Sequence, residues 1–389
     1  MDENKGGTTA AFWVWFQDEE PVSSPLGSES DPFSGRGRAA SNPDVVEAIR
    51  LRTEGREEEA LDRLQRAAGD GDEDALLLCG QICFELGELG AAAEWYHRLF
   101  EQQPNHPLAS QNEGLCLGRL RRWAEARECL GRAVIVNPER PEPWFLLGIS
   151  LLHVGRAPES RPCFDRVLKL KPDYAPALFG RAVALHLEGQ PGEALEIYEL
   201  LLEDQPEKEE LLTNALAAAR RARDAAKVNS LASRLLAVKP EAEAALKALA
   251  CLAIEARDAE QAAAWLDRLH DAGALNADQP LTESLALCLM GGKRREPERR
   301  AWKTLIQAAP RHEYGLFRLA TLEHQLGDTA TAAEMFARCV ALREDWPEAW
   351  WNLAGCRWKM GDREGAMAAL ATARDLDPAL ATALASAAR

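Results

Sequence analysis

Apolar residues recur along this chain with the spacing of helices, and the helical pattern restarts at a fixed interval. The stretch "PWFLLGISLLHVGRAPESRPCFDRVLKLKP" shows one period. Leu147, Gly148 and Leu151 form a stripe on a first helix, and Phe164 and Val167 return against it from a second. Glycine here lets the two helices approach closely. A glycine at the end of the first helix, as at Gly87, Gly155, Gly189, Gly327 and Gly361, suits the left-handed cap of a tight turn. Proline then closes the second helix. Pro104, Pro138, Pro172, Pro206 and Pro240 follow one another at intervals of 34 residues, and Pro310 and Pro378 resume the interval after a two-residue insertion. The pattern predicts a repeating helix, turn and helix.

Trp144, Leu147, Gly148, Gly155, Phe164 and Pro172 stand at the offsets Trp-x2-Leu-Gly, turn Gly, Phe, Pro. Other periods repeat them: Gly80, Gly87, Ala92, Tyr96 and Pro104; Gly114, Ala126, Ala133 and Pro138; Gly189, Ala194, Tyr198 and Pro206; Trp350, Leu353, Gly361, Ala366 and Pro378. This resembles the tetratricopeptide repeat. The resemblance covers about residues 41–380 as ten units. The first unit is weak, with Gly55, Ala60 and Ala67 in place, and units near 209–278 are alanine-rich, with Arg223 and Arg257 where glycine is usual. The resemblance implies an all-α, right-handed α-α superhelix, a solenoid of antiparallel helix pairs with a concave groove. Residues 1–40, rich in Ser, Pro and Gly, read as a disordered acidic tail. Residues 381–389, "ATALASAAR", read as a helical cap or tail.

Composition narrows the function. The 389 residues are 47% hydrophobic and carry a formal charge of −16. That balance argues against a broad face for nucleic-acid phosphates or anionic lipid. No run is long and apolar enough to span a membrane, and the acidic start does not suit a signal peptide, so a cytoplasmic location is expected. Nine scattered cysteines read as reduced thiols.

Catalytic and metal chemistry find little footing. Cys79 and Cys83 share a helix face as metal ligands could, yet they fall at buried repeat positions, where cysteine packs as a small hydrophobe. Cys116, Cys288 and Cys356 share one repeat position, and Cys129 and Cys163 another. His97, His106, His153, His186, His270, His312 and His324 form no His-Glu-x-x-His motif. "GGKRREPERR" lacks the strand that precedes a phosphate loop; Lys293, Arg294, Arg295, Arg299 and Arg300 read either as a solvated turn or as a site for an acidic partner. No catalytic residue, cofactor or metal is expected.

The resemblance also places a groove. Its lining positions map onto Leu77, Phe84, Leu115, Phe145, Ile149, Leu152, Phe179, Val183, Phe317, Trp351 and Trp358. Individually each could pack between first helices; as a set they make a wall that wants a cover. The family's clamp for a C-terminal carboxylate is matched by Asn112 alone, since Leu77, Gln81 and Leu146 stand at its other offsets, and an asparagine ladder is represented only by Asn112 and Asn352. The expectation is a non-enzymatic scaffold holding an apolar peptide segment, as an assembly factor or chaperone-like holder would. The alternative is a regulatory or adaptor subunit of an enzyme complex, docking through its N-terminal aromatic tail. There Phe12, Trp13, Val14, Trp15 and Phe16 stand just ahead of Asp18, Glu19 and Glu20, and they could dock in this protein's own groove, in that of a second copy, or on another protein.

Overall fold

The computed structural model describes residues 42–275, 278–290 and 295–379. The N-terminal aromatic run, the 381–389 segment, and Lys293 and Arg294 lie outside the described residues. Among the described residues there are twenty α-helices and no strand. They fall into two compact units that divide between Asp224 and Ala225.

The first unit holds α1 (Pro43–Thr53), α2 (Glu57–Gly69), α3 (Glu73–Glu85), α4 (Leu89–Gln102), α5 (Ala109–Arg119), α6 (Trp123–Val136), α7 (Pro141–His153), α8 (Ala157–Leu170), α9 (Ala175–Glu188), α10 (Pro191–Asp204) and α11 (Glu209–Ala222). Each helix packs on the next. The pairs begin and end where local chemistry requires. Asp72 caps α3 by accepting from the Ala75 amide, and Pro141 opens α7 at a position whose amide needs no partner. Gly87, Gly155 and Gly189 hold φ of 80°, 75° and 87° in the turns between paired helices. At the equivalent turns after α5 and α11, Arg121 and Arg223 take the same left-handed conformation, at φ 60° and 58°. Pro104, Pro138, Pro172 and Pro206 each stand two residues beyond the end of a second helix.

A close fit between paired helices builds this unit's core. A Cβ on Gly80 would lie 2.7 Å from the ring of Tyr96, one on Gly114 would lie 2.6 Å from Leu130, and one on Gly148 would lie 2.8 Å from Phe164. Gly180, on α9, presents the other side of Phe164, 2.5 Å from where its own Cβ would be. Tyr96 and Phe164 are wholly buried as a result.

The second unit holds α12 (Ala225–Val238), α13 (Glu243–Glu255), α14 (Ala259–Asp271), α15 (Gln279–Leu289), α16 (Arg295–Ala308), α17 (Glu313–Leu326), α18 (Thr329–Leu342), α19 (Pro347–Lys359) and α20 (Arg363–Leu376). Its helices stack in the same sequential way around Trp302 and Phe336, both fully buried. The alanine-rich stretch forms regular helices here, with Arg257 at φ 54° where Gly327 and Gly361 later stand.

Candidate functional site

On each first helix, three residues spaced i, i+4 and i+7 fall on one face. They are Leu77, Gln81 and Phe84 on α3; Gln111, Leu115 and Gly118 on α5; Phe145, Ile149 and Leu152 on α7; and Phe179, Val183 and His186 on α9. All of these except Gly118 are buried. The corresponding residues of α1, namely Pro43, Glu47 and Arg50, are not. Nor are Thr213, Ala217 and Arg220 on α11.

The same face in the second unit is open throughout. Lys247, Cys251 and Ile254 on α13, Glu283, Leu287 and Met290 on α15, Phe317, Thr321 and His324 on α17, and Trp351, Gly355 and Trp358 on α19 are all partly or well exposed. Of the eleven wall residues expected from the sequence, eight are thus buried on α3, α5, α7 and α9, and Phe317, Trp351 and Trp358 remain accessible on α17 and α19. Trp358 is 52% exposed, with the Arg363 guanidinium 3.6 Å above its ring. A Cβ added to Gly355 would meet nothing within 4 Å, so the face between Trp351 and Trp358 is clear. Phe317 stacks on Trp346 at 4.6 Å.

The buried wall rests on Phe164 and Tyr198 of second helices and on Tyr174 at the N-cap of α9. Phe145 meets Phe164 and Tyr174 edge-on, and Phe179 meets Tyr198. Polar groups that the sequence pattern does not flag lie at the same depth. Ser110 Oγ, Gln111 Oε1, Gln81 Oε1 and both side-chain heteroatoms of Asn112 are buried without a hydrogen-bond partner. The Tyr96 hydroxyl faces Asn112 without a bond of normal geometry, and burial drives its pKa well up. Ser110 and Gln111, where the repeat usually places Trp and an apolar or groove residue, were the available signal.

The thiols are poor nucleophiles. None is in a disulfide, and burial pushes Cys79, Cys116, Cys129, Cys163 and Cys339 up to about 12. Cys356 Sγ lies 3.2 Å from His324 Nδ1, but the residue is fully buried and its pKa is raised, chiefly by burial. Among the described residues no three His, Cys, Asp or Glu side chains group as a metal site. Four of the histidines make structural contacts. His97 lies 2.8 Å from buried Glu113, His106 and His312 accept from helix N-terminal amides, and His153 stacks on Trp123 at 3.5 Å. Arg295, Arg299 and Arg300 of the basic turn bond to Gln325, Glu323 and Asp267, so the described part of that turn ties helices together.

Two family models, both described as tetratricopeptide repeat, match residues 45–107, 112–175 and 147–209 for one and 323–388 for the other, together more than half of the chain. The chain is a tetratricopeptide repeat protein. No curated protein sequence matches it. Among solved structures it is similar to YrrB, described as a TPR protein with an unusual peptide-binding site, at 19% identity and TM-score 0.44 over 47% of this chain and 95% of that one. It is similar to a tetratricopeptide repeat protein from Parabacteroides merdae at 16% identity and TM-score 0.43, over 63% and 97%. The MamA protein matches at 16% identity and TM-score 0.41, over 43% and 92%. As a tetratricopeptide repeat protein it has the architecture of a protein-interaction scaffold, and no described helix is long and apolar enough to cross a membrane.

Proposed function

We propose that this chain is a non-enzymatic, cytoplasmic scaffold that holds an apolar, aromatic-bearing segment of a protein partner along its first-helix wall, as an assembly factor or chaperone-like holder would. The observation that carries this reading is the α19 face: Trp351 and Trp358 flank the clear space at Gly355, with Phe317 at the corresponding place on α17. Large, rigid aromatic side chains are the ones that dominate binding energy at interfaces. Asn352, Lys359 and Arg363 at the rim supply polar contacts that fix register without burying charge. A net charge of −16 points the same way, toward protein and away from nucleic acid.

A panel of fluorescent dodecapeptides of random sequence, measured by polarisation, tests this. Aromatic-rich members should bind with Kd in roughly the micromolar range. The Trp351→Ala/Trp358→Ala variant should bind them at least ~10-fold more weakly at unchanged helix content. Equal binding by the variant, or no binding by any peptide, would overturn the reading.

A further inference from the structure

Closure of the wall is confined to α3, α5, α7 and α9: α1 on one side and α11 on the other keep the same three positions accessible, and so does every first helix of the second unit. Helix-pair packing is common to all of these, so packing of pairs does not by itself close the face. A further layer of chain over these four helices would close it. The layer must be apolar where it meets Phe145, Ile149, Leu152, Phe179 and Val183. It must also bring hydrogen-bonding groups of its own, because Gln81 Oε1 and Gln111 Oε1 lie buried on this face without partners. An extended peptide supplies both, with alternating side chains and a free main-chain N–H row.

We infer that the occupant is this chain's own N-terminal segment, with Phe12, Trp13, Val14, Trp15 and Phe16 lying along α7 and α9 as an intramolecular ligand. This rests on reading the first-helix face as a peptide-binding wall. Composition, reach and charge select the segment. It joins five large apolar residues in a row. The residues from Gln17 to Ser41 are rich in Ser, Pro and Gly, and a flexible coil of that length would have a root-mean-square span of about 28 Å. Stepping from α1 to α7 crosses three first helices at about 10 Å each, a comparable distance. Tethering at this range gives an effective concentration of roughly a millimolar, so a weak contact is well populated. Asp18, Glu19 and Glu20 follow directly, and Arg119, Arg121 and Arg221 stand at or just past the C-terminal ends of α5 and α11, around the covered stretch. Arg119 already lies 4.7 Å over the Phe84 ring, and Arg221 donates to the His186 carbonyl at 3.1 Å. A partner segment would then have to displace the tail to use this face of the first unit, whereas the α17 and α19 face of the second unit stays open.

The test compares the full-length protein with full-length Trp13→Asp/Trp15→Asp, whose substitutions precede the first described helix. Circular dichroism should coincide. The variant should bind several-fold more anilinonaphthalene sulfonate, and amides of residues 141–188 should exchange faster. A fluorescein-labelled peptide of residues 9–20 should bind the variant at least ~10-fold more tightly than it binds the wild type, and the same peptide carrying Asp18→Lys, Glu19→Lys and Glu20→Lys should bind it ~10-fold more weakly. Equal dye and peptide binding by the two proteins would overturn the proposal and assign closure to the helices themselves. Sedimentation of the wild type as a dimer that exposes dye sites on dilution would also overturn it, in favour of a second copy's tail. Neither outcome depends on Trp351 or Trp358, whose variant tests the partner site separately.

Discussion

The ring of Phe164 fills the space that a side chain on Gly148 would require: a Cβ there would stand 2.8 Å from its Cζ. Phe164 is fully buried, and Gly180 confines it from the next first helix. Glycine at this position is therefore a packing requirement, despite its cost to helix propensity. Gly148→Ala should lower stability by about 1–3 kcal/mol, because the ring must shift against a filled core. Gly131, inside α6 with nothing within 4 Å of an added Cβ, should behave oppositely. Gly131→Ala should gain about 1 kcal/mol from propensity alone. Urea denaturation of the two variants decides, and equal signs would refute the packing argument.

The turns offer a second check. Arg223 and Arg257 hold left-handed backbone at φ 58° and 54°, where other units use glycine. An L-residue in that region costs about 1–2 kcal/mol relative to glycine. Part of the gain from relieving it is lost to glycine's freedom in the unfolded chain. Arg223→Gly and Arg257→Gly should each therefore stabilise by about 0.5–1 kcal/mol. Their melting curves should shift upward; a decrease would mean that the arginine side chains contribute more than the strain costs.

These two cases show what a sequence can convey. The repeat was legible because the 34-residue spacing, the turn glycines and the terminating prolines each have one local physical cause, and all recur in the structure. Even Arg223 and Arg257 were visible as departures, and the turn geometry persisted because the flanking helices impose it. The wall was less legible. Periodicity places Phe145 and Trp351 at the same repeat offset, yet one is buried and the other partly open. Depth depends on what lies over a face, and no local pattern encodes that. The buried polar atoms of Ser110, Gln111 and Asn112 were hidden for the same reason.

Buried ion pairs in the second unit make a third prediction. Glu298, 4% exposed, accepts from Arg318 Nη2 at 2.8 Å and from the Trp302 indole at 3.4 Å. Removing the carboxylate leaves a partly buried guanidinium without its counter-charge. Glu298→Ala should cost about 3–5 kcal/mol. Combining Glu298→Ala with Arg318→Met should recover much of that loss, since the uncompensated charge is then gone. A double-mutant cycle in urea measures the recovery, and strict additivity would show that the pair is not coupled.

Acid should weaken the first unit before its carboxylates titrate. Burial, with the positive charge of Arg121, pulls His153 down to about 3, and burial, with Arg221, pulls His186 down to about 4. Both are depressed below the ordinary histidine value of about 6.5 expected of the unfolded chain. The folded state therefore keeps these rings neutral while the unfolded state takes up protons. The stability this represents is complete above pH ~6.5 and is lost progressively as pH falls toward 4 for His186 and 3 for His153. Between pH ~6.5 and ~5 exposed carboxylates remain ionised, so the histidines dominate that interval. The melting temperature should drop by roughly several degrees across it. In His153→Gln/His186→Gln the slope should flatten, because neither side chain can take up a proton. A wild-type curve that is flat from pH 6.5 to 5, or a double variant that keeps the full slope, would show that these imidazoles are accessible enough to titrate normally.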